Sequence, residues 1–174
     1  MSKEEPKVVI ITGGSQGIGA GLVAEYRRRG WAVVATSRTI KPDKDPAVLT
    51  VDGDIAEAAT TDRIISGALG RFGRIDTLVN NAGVYISKPF TDYTAGDYAT
   101  VVGVNLTGFF LLTQRVIAEM LTRGGGHIVN ISTTLVDYAN SSAPSVLTSL
   151  TKGGVASPQP QNRWLSSMPP GESG

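Results

Sequence analysis

The segment Thr12-Gly13-Gly14-Ser15-Gln16-Gly17-Ile18-Gly19 has residue types and spacing suited to holding a diphosphate. It follows the apolar run Val8-Val9-Ile10-Ile11 and opens a stretch with Ile18, Leu22, Val23 and Tyr26 at helical spacing. A strand, a glycine turn and a helix start in that order present unpaired N–H groups and a partial positive charge to an anion. Glycine lets the backbone turn tightly and lets phosphates come close. Gly13, Ser15, Gln16, Gly17, Ile18 and Gly19 are therefore the expected contacts; the plain alternative is a turn that serves only the fold.

Thr36-Ser37-Arg38 follows the second apolar run. An acidic side chain at that strand end would accept from the ribose 2′-OH of NAD; none is present here. Ser37 and Arg38 are instead suited to a 2′-phosphate, through charge-assisted contacts from the guanidinium. NADP(H) is the expected cofactor, with NAD(H) the alternative and a solvated surface arginine the non-functional reading. Asp54-Ile55 closes the third run; Asp54 either accepts from an adenine amino group, with Ile55 beside the ring, or caps a helix starting near Ala56. Arg27-Arg28-Arg29 reads as a helix C-terminus favouring cations rather than a basic patch. His127, the single histidine, reads as a surface residue, and Phe109-Phe110-Leu111-Leu112 as core or a helix–helix interface.

Positioning these groups requires alternating strands and helices. Strands are expected at Val8 to Ile11, Trp31 to Thr36, Val48 to Val51, Thr77 to Val79 and His127 to Ile131. Helices are expected at Ile18 to Arg29, Ala56 to Phe72 and Tyr98 to Arg123, with Gly30 and Gly124-Gly125-Gly126 as stops. The alternation implies an α/β fold, a doubly wound parallel sheet with ligand at the carboxyl ends of the strands. Residues 157–174, rich in proline, are expected to form an irregular tail after a dinucleotide-binding domain at 1–156.

Composition narrows the class. The chain has 174 residues, enough for one domain with a core, and its 41% hydrophobic content suits a globular protein. A net charge of +1 gives no argument for nucleic acid or an acidic membrane surface. No cysteine is present, which excludes disulfide and thiolate chemistry and fits a reducing compartment. The polar N-terminus lacks a signal-peptide core, and no uninterrupted apolar run reaches the roughly 20 residues of a bilayer span. The expected location is cytoplasmic, and no metal site is expected.

Taken together, the motifs resemble the short-chain dehydrogenase/reductase family. The resemblance rests on Thr12 to Gly19, Asp54-Ile55, Asn80-Asn81-Ala82-Gly83, Val104-Asn105-Leu106-Thr107-Gly108, Ile128 to Thr133, and Lys152-Gly153-Gly154-Val155. They occur in family order over about residues 7 to 156. The resemblance implies a Rossmann-type fold, a nicotinamide cofactor, and hydride transfer to or from a small carbonyl or alcohol substrate. It implies that Asn81, Ala82 and Gly83 lie against the cofactor ribose and the central strand. Asn105 would hold a bend in its helix and a water in a proton relay. Lys152 would bind the nicotinamide ribose. Thr133 falls at the family's serine position, with Ser132 beside it.

The family's tyrosine, one helical turn before the lysine, is missing: Thr148 stands there. Aliphatic alcohols are poor proton donors near neutral pH. Tyr138 would need an unusual fold-back to substitute. A water or the substrate itself is the expected replacement, and a dinucleotide-binding protein without turnover is the alternative function. Relative to the family pattern, the sheet is expected to stop after about five strands. The helix used by the family's homo-oligomers is expected to be interrupted. A reading-frame shift is one expected origin of the tail, since back-translation of residues 163–174 in the shifted frame permits a family-like continuation; a naturally divergent tail is the alternative.

Overall fold

Five runs rich in β-branched residues form strands β1 (Val8–Thr12), β2 (Ala32–Ser37), β3 (Val48–Asp52), β4 (Thr77–Asn80) and β5 (His127–Asn130). The structure, a computed structural model, describes residues 5–137 and 144–156. Tyr138 and the expected tail from about Ser157 lie outside the described residues. The strands pair in parallel in the order β3-β2-β1-β4-β5. Chain direction along the sheet reverses beside β1, which pairs with β2 on one side and β4 on the other. Such a reversal leaves a crevice at the carboxyl ends of the strands.

Helices α1 (Gly17–Arg28), α2 (Ala58–Phe72), α3 (Ala95–Val102), α4 (Phe109–Thr122) and α5 (Val146–Ala156) complete the described fold. Side chains on a strand alternate between faces, and both faces of β1 are covered. On one face Val8, Ile10, Val34 and Leu78 pack with Ile64, Ile65 and Ala68 of α2 and Leu112, Val116 and Met120 of α4. On the other, Val9, Ile11, Val33 and Val79 pack with Leu22, Val23 and Tyr26 of α1. Val8 to Ile11 are fully buried, as expected for the central strand of a parallel sheet. The architecture is the Rossmann-type α/β fold, with five parallel strands and flanking helices.

Two helices differ from expectation. α2 begins at Ala58 rather than Ala56. The single helix expected from Tyr98 to Arg123 begins instead at Ala95, where Thr94 and Asp97 form a reciprocal capping box. It is also interrupted by a π-helical segment, Gly103–Gly108, around Asn105. The helical run Ala95–Thr122 has 28 residues and holds an 18-residue window of mean hydropathy 1.5, long and apolar enough to cross a membrane by length and composition alone. Within the fold, Val101, Leu112, Val116 and Met120 of this run are buried core residues.

Candidate cofactor-binding and active site

The glycine loop is built on backbone angles and clearances that side chains would violate. Gly13 and Gly17 have φ of 68° and 54°, in the left-handed region. A Cβ at Gly19 would run into the Gly13 carbonyl oxygen and stand 2.7 Å from Asn81 Nδ2. At Gly17 the same Cβ would meet nothing within 4 Å, so bare backbone faces open space. Gln16 precedes α1 in extended conformation, and no side chain caps the helix or places an acid in its first turn. The helix start is therefore free to receive an anion.

Thr12 and Asn81 tie this loop to the end of β4. Thr12 Oγ1 accepts from the N–H groups of Asn81 at 3.0 Å and Ala82 at 2.9 Å. Asn81 Nδ2 donates to the carbonyls of Thr12 at 2.9 Å and Gly13 at 3.2 Å. The tie crosses the switch point between β1 and β4. Beneath it, Asn80 Nδ2 donates to Thr113 Oγ1 and Asn130 Oδ1, binding β4 to α4 and β5.

A cleft of about 370 Å³ opens there. Gly13, Ser15, Gln16, Gly17, Ile18, Ser37, Arg38, Asp54, Ile55, Asn81, Ala82 and Gly83 all line it, joined by Thr39, Gly53, Val84 and Val104. Gly19 lies behind the loop as its packing contact. Arg38 is exposed and engages no hydrogen bond or ion pair among the described residues. Asp54 Oδ1 accepts from the Ala56 N–H at 2.9 Å, closing the turn before α2. Its residue still lines the cleft.

Beyond Gly83 the expected catalytic residues converge. Asn105, 2% exposed, points its side chain from the π-helical segment at Val84. Its Oδ1 accepts from Val84 N–H at 2.8 Å, and its Nδ2 donates to Val84 O at 3.1 Å and Thr151 Oγ1 at 3.0 Å. Lys152 on α5 donates from Nζ to the Ile131 carbonyl at 3.0 Å. Gly83 fits between the two: a Cβ there would stand 3.0 Å from Lys152 Nζ and 3.6 Å from Asn105 Oδ1. Burial disfavours the charged ammonium and lowers the Lys152 pKa below its ordinary 10.5.

Ser132 Oγ, exposed, donates to the Lys152 carbonyl at 3.4 Å. Thr133 Oγ1 accepts from Leu135 N–H at 3.3 Å, capping the short turn Thr134–Val136. Ser132 therefore contacts α5, and neither Ser132 nor Thr133 lines the cleft. The roles of Thr12 and Thr151 escaped sequence reasoning. Their signals were weak: Thr12 merely precedes the glycines and Thr151 merely precedes Lys152.

A parallel sheet with a switch-point cleft, a glycine loop and a free helix start defines a dinucleotide-binding protein. Residues 7–156 match the family model described as short chain dehydrogenase. The chain belongs to that family. It is 35% identical over 147 residues to an uncharacterised oxidoreductase of Methylorubrum extorquens, covering 79% of this chain and 58% of that protein. A short chain dehydrogenase from Bacillus anthracis superposes with a TM-score of 0.79 at 31% identity, over 86% of this chain and 65% of that one. A 3-ketoacyl-(acyl-carrier-protein) reductase from Brucella melitensis, solved with NADH, gives a TM-score of 0.77 at 30% identity, over 87% and 66%. The chain thus spans about 58% of the length of the Methylorubrum relative.

Proposed function

We propose that the cleft binds NADP(H) and that the chain serves hydride transfer between the nicotinamide and a small carbonyl or alcohol. The observation carrying this reading is the bare, left-handed Gly17 backbone beside an uncapped helix start, in a cleft whose far wall carries Arg38. The first-turn amides of α1 receive the diphosphate. Asp54 and Ile55 flank the adenine. Ser37 and Arg38 engage a 2′-phosphate, with no carboxylate at the end of β2 to repel it. Asn81, Ala82, Gly83 and Lys152 border the nicotinamide ribose.

The bound coenzyme supplies a hydride and its two electrons. The chain's residues position and polarise. Asn105 fixes Val84 and thereby the cleft floor, while Ser132 or Thr133 donates a hydrogen bond to the substrate oxygen. Affinity of the Brucella reductase for NADH, given in its name, makes both coenzymes the right probes.

Fluorescence titration with NADPH and NADH tests the reading. Arg38→Ala should weaken NADPH about 5- to 30-fold, the equivalent of roughly 1–2 kcal/mol for an exposed charge-assisted contact. NADH affinity should stay within about two-fold. Equal losses for both coenzymes would reject the 2′-phosphate role. Absorbance of NADPH with a panel of small aldehydes and ketones then tests turnover; binding without consumption would assign dinucleotide binding without catalysis.

A further inference from the structure

No phenol stands among the described residues lining the cleft. Thr148 stands one helical turn before Lys152 and is 4% exposed, with Oγ1 buried and unpartnered among the described residues. That hydroxyl is closed off from an incoming substrate. Ser132 and Thr133 add only weakly acidic alcohols. Asn105 is committed to Val84 and Thr151. Lys152 Nζ, by contrast, reaches Gly83 at the cleft wall, and among the described residues a single carbonyl, that of Ile131, accepts from it. An ammonium carries three N–H bonds, so two remain, one for the ribose that Lys152 borders and one for a substrate oxygen.

Resting on the coenzyme reading above, we infer that Lys152 is itself the proton donor in carbonyl reduction. Hydride forms the new C–H bond, and the C=O π pair moves to oxygen. That oxygen takes a proton from Nζ: an O–H bond forms, an N–H bond breaks, and Lys152 is left as a neutral amine. Water reprotonates it, since the residue is only partly buried. In alcohol oxidation the neutral amine accepts the proton.

The surroundings favour such a cycle. Titratable groups on the elements packed against α5 are Asp97 and Tyr98 of α3, Asp137 after the turn Thr134–Val136, and His127 at the start of β5. The loop after β4 adds Tyr85 and Lys88. Asp97 is taken by Lys88 at 2.7 Å. No carboxylate forms an ion pair with Lys152 among the described residues, so none holds it in the charged state.

Two measurements on the full chain test the inference. Lysines carrying ¹³C-methyl groups can be titrated by NMR, with Lys152→Arg identifying the resonance. A midpoint below 10.5 supports the proposal, and one at or above it overturns it. For reduction of small aldehydes and ketones, kcat/KM should fall at alkaline pH along that midpoint. Lys152→Arg should bind NADPH within a few-fold yet lose about 10²–10⁴ in rate, together with the alkaline limb. Retention of rate by Lys152→Arg would overturn it. So would loss of the limb in Tyr138→Phe alone, or NADPH binding with no carbonyl reduced at any pH. Absence of NADPH binding would instead refute the underlying coenzyme site, and the inference with it.

Discussion

Gly19 offers the sharpest test of how the glycine loop is held. An alanine methyl would collide with the Gly13 carbonyl oxygen and lie 2.7 Å from Asn81 Nδ2. Relaxed carbon contacts need about 3.5 Å, so α1 must retreat or the Asn81 bonds to Thr12 and Gly13 must break. The obstacles are backbone and a doubly bonded amide, which yield less readily than a flexible side-chain tip. Overpacking costs about 1–3 kcal/mol, and this site belongs near the top of that range. Better helix propensity of alanine returns up to about 1 kcal/mol. A net loss of about 2 kcal/mol corresponds to roughly 4–8 °C in Tm for a domain of this size. Gly17→Ala is the matched comparison. Its methyl meets nothing within 4 Å, but φ of 54° carries a strain of about 1–2 kcal/mol. Thermal melts and NADPH titrations should separate the two variants. Gly19→Ala should lose stability and affinity together; Gly17→Ala should lose less stability yet at least as much affinity, because its methyl faces the cleft. Wild-type melting and affinity in Gly19→Ala would refute the idea that close packing sets the loop.

The tie across the switch point predicts that Thr12→Val will destabilise the protein by about 1–3 kcal/mol, because the Ala82 N–H loses its acceptor and the Asn81 N–H keeps only the Val79 carbonyl. Urea unfolding reads this directly, and an unchanged midpoint would show the tie to be dispensable. Asp97 predicts a pH effect. Hydrogen bonds from Lys88, then Thr94, hold its carboxyl at about 2, below the ordinary 3.8. Stability from the depressed carboxyl is therefore full above about pH 4–5 and lost as pH falls through about 2. The stability gap between wild type and Asp97→Asn should narrow over that window in denaturation at stepped pH; a constant gap would reject the assignment.

Strands and the glycine turn were legible because their signals are local. Val8 to Ile11 is a continuous β-branched run, and glycines mark its end. Asn105 and Lys152 were legible through the family resemblance. The contacts around them were not, since each joins residues far apart in the chain: Thr12 with Asn81, Asn105 with Val84 and Thr151, Lys152 with Ile131. A bend at Asn105 was expected from the family resemblance, but its π-helical form was not. Gly103 to Gly108 is poor in strong helix formers, but the side-chain ties of Asn105 to Val84 and Thr151 join residues distant in the chain. The early start of α3 could have been read from Thr94 and Asp97, three residues apart, but aspartate is a less familiar partner there than glutamate.

By itself, then, the sequence determined the order of strands and helices, the glycine loop, the missing carboxylate at the end of β2, and the substitution of the family's phenol by Thr148. These depend on residue type and near-neighbour spacing. Tertiary structure alone decided that β1 and β4 lie side by side, that Asn81 clamps the glycine loop, and that Thr148 is sealed while Lys152 reaches Gly83. Those outcomes depend on which distant surfaces pack together, a property spread over the whole core rather than held in any short stretch of chain.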